Sequence, residues 1–275
     1  MIAALSFGTA PLSNAPGAGG LQPFPPLDVP PASPLSSVDT LLGMATTLWP
    51  TIHRLSSLLA LKQQLEAAVA CGQATKAAIL RSEFESTSTA VETALKRWQP
   101  TIPPCLLVDE QDGDAVRVGA VEERARLQSI LNNALAYRDS ALMFLYRSIH
   151  GYSRRHALVQ RHAHVALTHC VATVSHAGPM SALLWPLFVA ACEAVSLGDR
   201  DLARQAFVAV HRRQGMTNIE RAWLIVQEVW RRADLMEHMR APAGQHDRDL
   251  VSLVDRRPDL WRRVSQDMGV TIVFG

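Results

Sequence analysis

Residues 181–196 read SALLWPLFVAACEAVS, a segment apolar on nearly every side of a helix. A helix with no polar face has none to turn to water, so this one is predicted to run through the middle of the domain. Pro186 is expected either to kink it or to stand in its first turn, where a missing N–H costs nothing. Downstream, Asp199 is placed as the N-cap of a helix over 200–213 that turns Leu202, Phe207 and Val210 inward and stops at Gly215. Asn218 is expected to cap the next helix, 219–239, where Trp223, Val226, Val229, Trp230 and Ala233 share one face and Arg221, Glu228, Arg231 and Arg232 supply charge opposite.

Upstream the same 3.6-residue period recurs. Val38 to Leu48 and Ile52 to Val69 give two helices or one kinked at Pro50, and 75–98 gives another, with Ile79, Leu80, Phe84, Val91 and Leu95 on its stripe and Pro100, Pro103 and Pro104 ending it. Residues 108–118 read as an acidic loop. Val121 to Gly151 carries the longest periodic run and predicts one long helix, followed by another over 155–175 that Gly178-Pro179 breaks. Val270 to Phe274 alone suggests a strand. The fold class predicted is all-α, successive antiparallel helix pairs around one core with no substantial sheet. Residues 1–35 hold eight of the 16 prolines, a Gly-Ala-Gly-Gly run and almost no charge, and read as a disordered tail before a helical domain over 36–275.

Composition narrows the function. With 48% apolar residues in a 275-residue chain, a sizeable core is assured. No apolar run approaches the roughly 18 residues that a membrane helix needs, and no basic start precedes an apolar stretch as in a secretory signal, so an intracellular protein is expected. A formal charge of +2 is too small and too dispersed for a phosphate-backbone track. Basic pairs such as Arg154-Arg155, Arg212-Arg213 and Arg231-Arg232 lie near acids and read as solvated or ion-paired faces. Arginine outnumbers lysine 24 to 3, which suits fixed ion pairs on packed helices. Cys71, Cys105, Cys170 and Cys192 are too scattered for a zinc site and read as buried thiols.

Chemistry-bearing motifs are few. His156, His162, His164, His169 and His176 lack i, i+4 pairs and scatter over several helix faces, so no metal site is expected. No nucleophile elbow or phosphate loop is present. Glu193, inside the most apolar segment, is either an acid with a raised pKa or one half of a buried ion pair with an arginine such as Arg232; pairing is favoured because a lone buried charge is costly. Asp234 is a second carboxylate for Arg200, Arg231 or Arg232. Trp185, Phe188, Trp223 and Trp230 are expected to pack between the central helix and the last long one, with a ligand pocket as the alternative to core.

Four segments taken in order carry a resemblance. They are YRDSALMFLYRSIHG at 137–151, ALLWPLFVAACEA at 182–194 followed by Asp199-Arg200, GMTN at 215–218 leading to EVWRRAD at 228–234, and WRRVSQDMG at 261–269. Together they resemble the fungal-specific transcription factor domain, the helical region that follows a six-cysteine zinc cluster in fungal regulators. The first is similar to that family's Tyr-Arg-x-x-x-Leu-x-Tyr-Leu-x-Arg-x-x-x-Gly helix. The resemblance implies a non-catalytic nuclear regulator of RNA polymerase II transcription that binds protein partners as a homo- or heterodimer, or a small-molecule effector. It implies no cofactor in this domain, with zinc and DNA contact confined to an N-terminal cluster absent from these 275 residues. The alternative is a helical scaffold or co-regulator without DNA binding. The residues marked as pocket or core-motif positions are Trp185, Pro186, Phe188, Glu193, Arg200, Trp223, Trp230 and Arg232.

Overall fold

A computed structural model of the chain describes residues 43–101, 118–175, 182–238 and 260–272. The expected tail over 1–35, the acidic loop, the Gly178-Pro179 break, Cys105 and His176 lie outside the described residues. Eight α-helices are described: α1 (Trp49–Ala70), α2 (Ala74–Arg97), α3 (Val118–Phe144), α4 (Ala157–Val174), α5 (Leu184–Glu193), α6 (Leu197–Gln214), α7 (Thr217–His238) and α8 (Leu260–Asp267). The described residues contain no β-strand, and Val270 to Ile272 of the strand candidate are irregular. The fold is all-α, as the periodicity predicts.

The order of packing follows from which faces are apolar. A tight turn through Gly72, with φ of +67°, folds α2 back on α1 as an antiparallel hairpin. Pro50 neither divides nor kinks α1; it occupies the first turn, where its missing N–H is harmless. Only the base of the hairpin joins the core, so Ile79 is 63% exposed although its period placed it on the buried stripe. Cys71, at the hairpin tip, is exposed as well, while Cys170 and Cys192 are buried.

Next come α3 and α4, packed along much of their lengths. The long helix predicted to Gly151 does not stay α-helical: Leu145–Ile149 form a π-turn, with the His150 amide donating to the Leu145 carbonyl at 3.0 Å. All five of its residues are buried. Because α3 is enclosed on most sides here, its polar residues find partners across the α4 interface. Ser129 Oγ donates to the Thr173 carbonyl at 2.7 Å, His169 Nδ1 to Asn132 Oδ1 at 3.0 Å and His162 Nδ1 to Asp139 Oδ1 at 2.8 Å.

Helix α5 rests on α3 and α4, then α6 and α7 close over α5, and α8 lies on α7. All ten residues of α5 are buried, so the central position read from its sequence holds, and Pro186 stands in its first turn. The cap of α6 is Ser196, not Asp199: Ser196 Oγ accepts the Asp199 amide at 3.0 Å and donates to Asp199 Oδ2 at 2.7 Å. Asp199 thus supplies first-turn charge and also receives His164 at 2.6 Å. Gly215 ends α6 in the left-handed region, as predicted, and α7 begins at Thr217, which puts Asn218 inside its first turn and not at its cap.

The aromatic residues sort differently from the sequence expectation. Trp230 lies between α5 and α7, its indole N–H donating to the Ala191 carbonyl at 2.8 Å. Trp185 faces the other way and stacks on Tyr137 of α3 at 5.5 Å, with Trp49 of α1 on Tyr137 at 5.6 Å. Phe188 meets the edge of Trp261 in α8, and Trp223 packs on Phe207 of α6 as well as on Trp230. One large apolar cluster joins these elements, and a small satellite of Met44, Ala45, Leu127, Ile130 and Ala134 sits beside it.

Trp185 is 1% exposed, so Trp185→Ala is expected to cost about 3–5 kcal/mol in urea unfolding. Ile79→Ala should stay within about 0.5 kcal/mol. Gly43 has φ of +56°, and a Cβ there would stand 2.8 Å from Ile130 Cγ2. Gly43→Ala therefore combines a clash with left-handed strain and should lower the urea midpoint more than Gly215→Ala, which meets only the strain.

Candidate functional site

Three of the sequence-selected residues, Glu193, Arg200 and Trp230, meet at the C-terminal end of α5. The last carbonyls of a helix have no partners within it, and those of a wholly buried helix cannot turn to water. Side chains from four segments supply the donors. Arg154 Nη2 reaches the Ala194 carbonyl at 2.7 Å and its Nε the Glu193 carbonyl at 3.4 Å. Gln160 Nε2 donates to that same Glu193 carbonyl at 2.8 Å, and Arg200 Nε reaches Ala194 at 3.5 Å. Trp230 serves Ala191 as described above.

The Glu193 carboxylate closes this node. Arg147, from the π-turn, donates through Nε to Glu193 Oε2 at 3.1 Å, and Arg154 Nε stands 4.0 Å from the same oxygen. Arg147 also donates through Nη1 to the Tyr152 carbonyl at 3.0 Å. The pair is almost dry, with side-chain exposures of 6% for Arg147 and 10% for Glu193. Glu193 is therefore one half of a buried ion pair, but its partner is Arg147 and not Arg232. Arg154, read from sequence as part of a solvated or ion-paired face, is interior and lies within ion-pair distance of Glu193. Burial pulls the Arg154 guanidinium below its ordinary pKa, and the Glu193 charge opposes that shift.

Further ion pairs surround this node on its outer side. Arg200 holds Asp234 through two parallel bonds of 2.8 and 2.6 Å and lies 5.1 Å over the Trp230 ring. Its hydrogen bonds hold the Asp234 carboxyl below the ordinary range. Arg232 bridges Glu228, at 2.7 Å, and Asp267 of α8, while Arg231 takes the other side of Glu228 at 2.6 Å. The Arg231 and Arg232 hydrogen bonds bring Glu228 down to about 2. Trp185, Pro186 and Phe188 lie further along α5, and Trp223 stands at the α6–α7 contact, so the eight selected residues do not form one pocket.

A crevice lined by Met143, Arg147, Val189, Glu193 and Trp261 holds about 10 Å³, no more than one water molecule requires. Among the described residues no group of three or more His, Cys, Asp or Glu side chains could hold a metal. No described helix is long and apolar enough to cross a membrane.

Sequence reasoning missed Arg147, Arg154, Gln160 and the polar cluster beside the π-turn. There Tyr146 Oη donates to Glu92 Oε1 at 2.8 Å, Lys96 reaches the same oxygen at 2.6 Å, and the Tyr146 ring is parallel to Tyr152 at 5.8 Å. The available signal was Arg147, the one charged residue in the run from Ala141 to Ile149.

Removing Glu193 leaves two buried guanidinium groups without their carboxylate, so Glu193→Ala is expected to lose about 3–5 kcal/mol by chemical denaturation. The double variant Arg147→Met/Glu193→Leu should be less destabilised than Glu193→Ala alone. Acid should weaken the fold through Asp139: burial raises its carboxyl, but the His162 hydrogen bond and the Arg138 guanidinium outweigh burial and leave it below its ordinary 3.8. A carboxyl lowered on folding stabilises above that value and loses its contribution as pH falls through the folded pKa. In urea midpoints measured from pH 5 downward, Asp139→Asn should flatten the acid limb.

The family model described as the fungal specific transcription factor domain matches residues 17–275. No curated protein and no solved structure matches the chain.

Proposed function

Because this chain belongs to the family of fungal specific transcription factor domains, we propose that it is a non-catalytic regulator that works in the nucleus on RNA polymerase II transcription. It acts by binding, to protein partners or to an effector. DNA contact and zinc belong to a separate six-cysteine cluster, attached to this domain or carried by a partner.

The observation that supports this reading most is the family match along residues 17–275 together with what the matched segments build. Arg147, Glu193, Arg200, Trp230 and Asp234 fall in those segments, and together they secure the end of α5 to the π-turn, to α6 and to α7. Their chemistry is that of a frame, and a frame that ties five elements to one point suits a domain whose task is to hold or shift a binding surface.

Fusing the full chain to a heterologous DNA-binding domain upstream of a reporter in a fungal host tests it. Reporter output should move severalfold, up or down, and Glu193→Ala should abolish the change in step with its loss of folding. A nuclear, stably folded fusion with no effect in either direction overturns the regulatory reading and favours a scaffold without a transcriptional role.

A further inference from the structure

Between the C-terminal half of α7 and α8 lies a cleft of about 380 Å³, lined by Arg232, Leu235, Met236, Leu260, Arg263 and Asp267. That volume falls in the range of roughly 300–1,000 Å³ typical of small-molecule sites. Its α7 wall is unusual for a surface: Leu235 is 48% exposed and Met236 37%. The two cations that line it differ sharply. Arg232 is neutralised, holding Glu228 on its own helix and Asp267 across the cleft. Arg263 is not: its Nε is buried without a hydrogen-bond partner, and no carboxylate among the described residues pairs with its guanidinium.

With its Nε buried and no carboxylate partner among the described residues, the Arg263 guanidinium has the remainder of its fork to offer an anion laid in the cleft. From one unpaired guanidinium beside an exposed apolar wall, we infer that this cleft binds a small amphiphilic monoanion, an aliphatic carboxylic acid. Its carboxylate would lie on Arg263 and its hydrocarbon chain on Leu235, Met236 and Leu260. A carboxylate matches the planar guanidinium fork, and one negative charge matches Arg263, the lining cation with no carboxylate partner among the described residues. A phosphate dianion would bring two charges to Arg263 and would also face the Asp267 carboxylate. Leu235 and Met236 belong to the helix whose Asp234 holds Arg200, so a ligand here touches the element next to the α5 node. That the acid acts as an effector rests on the regulatory reading above; its binding does not.

Calorimetry on the full chain with sodium octanoate, octanol and octyltrimethylammonium tests the site. Octanoate is expected to bind saturably at one site, about tenfold or more tighter than octanol, and the cation not at all. Arg263→Gln should weaken octanoate by about tenfold or more and leave octanol unchanged. No saturable binding, equal affinities for octanoate and octanol, or octanoate affinity that survives Arg263→Gln each overturns the assignment. The comparison of the three amphiphiles on the unaltered protein decides the matter even where the variant fails to fold. Octanoate added to cells carrying the tethered fusion separates the two readings. Calorimetric silence beside an active reporter overturns the ligand alone, and binding beside an inert tethered fusion supports the site while removing the regulatory role.

Discussion

The C-terminus of α5 sets the terms for the whole domain. A ten-residue helix buried on every side gains much from apolar contact but leaves its last carbonyls where water cannot reach them. Arg154, Gln160, Arg200 and Trp230 donate to them, and these come from the segment before α4, from α4, from α6 and from α7. Glu193 adds Arg147 from the end of α3. The node draws three guanidinium groups toward two carboxylates and the negative end of a helix dipole, an arrangement in which the backbone itself shares in balancing the charge. Such a node is weak as a source of net stability and strong as a selector of one arrangement, since a missing partner strands a charge in the interior.

Helices α3 and α4 show the same logic spread along an interface. Their polar pairs, Ser129 with Thr173, Asn132 with His169 and Asp139 with His162, advance down one helix as they climb the other. Apolar faces tolerate sliding; hydrogen-bonded rungs between buried groups do not, because a slip orphans each of them at once. Register in this long pair is therefore specified by polar residues and adhesion by apolar ones.

The fold was legible in the sequence because helical period is a local property. The α5 segment, the Gly215 stop and the apolar face of α7 all follow from spacing and turn chemistry. What spacing cannot supply is which neighbour a face meets. Trp185 was expected against the last long helix and stacks instead on Tyr137 of α3, and Ile79 fits its stripe but lies beyond the reach of the core. Charge partners were less legible still. Glu193 was recognisable as one half of an ion pair from its apolar surroundings, yet Arg147 lies 46 positions away and only the folded chain distinguishes it from Arg232. Asp199 and Ser196 show a subtler ambiguity: both are good caps, and the choice falls on Ser196 because its hydroxyl can accept from the backbone and donate to Asp199 at once.

The π-turn at Leu145–Ile149 divides the long third helix into two phases. One extra residue per turn advances the chain by about 100° of helical rotation without lengthening the hydrogen-bonded spine to match. Side chains before Leu145 and after it therefore obey separate angular clocks, and Arg147 points at Glu193 only on the second. A chain that lost a single residue here would keep a continuous helix, yet its arginine would sweep out of line with the carboxylate. Length, and not only residue identity, is thus a constraint at this point of the sequence.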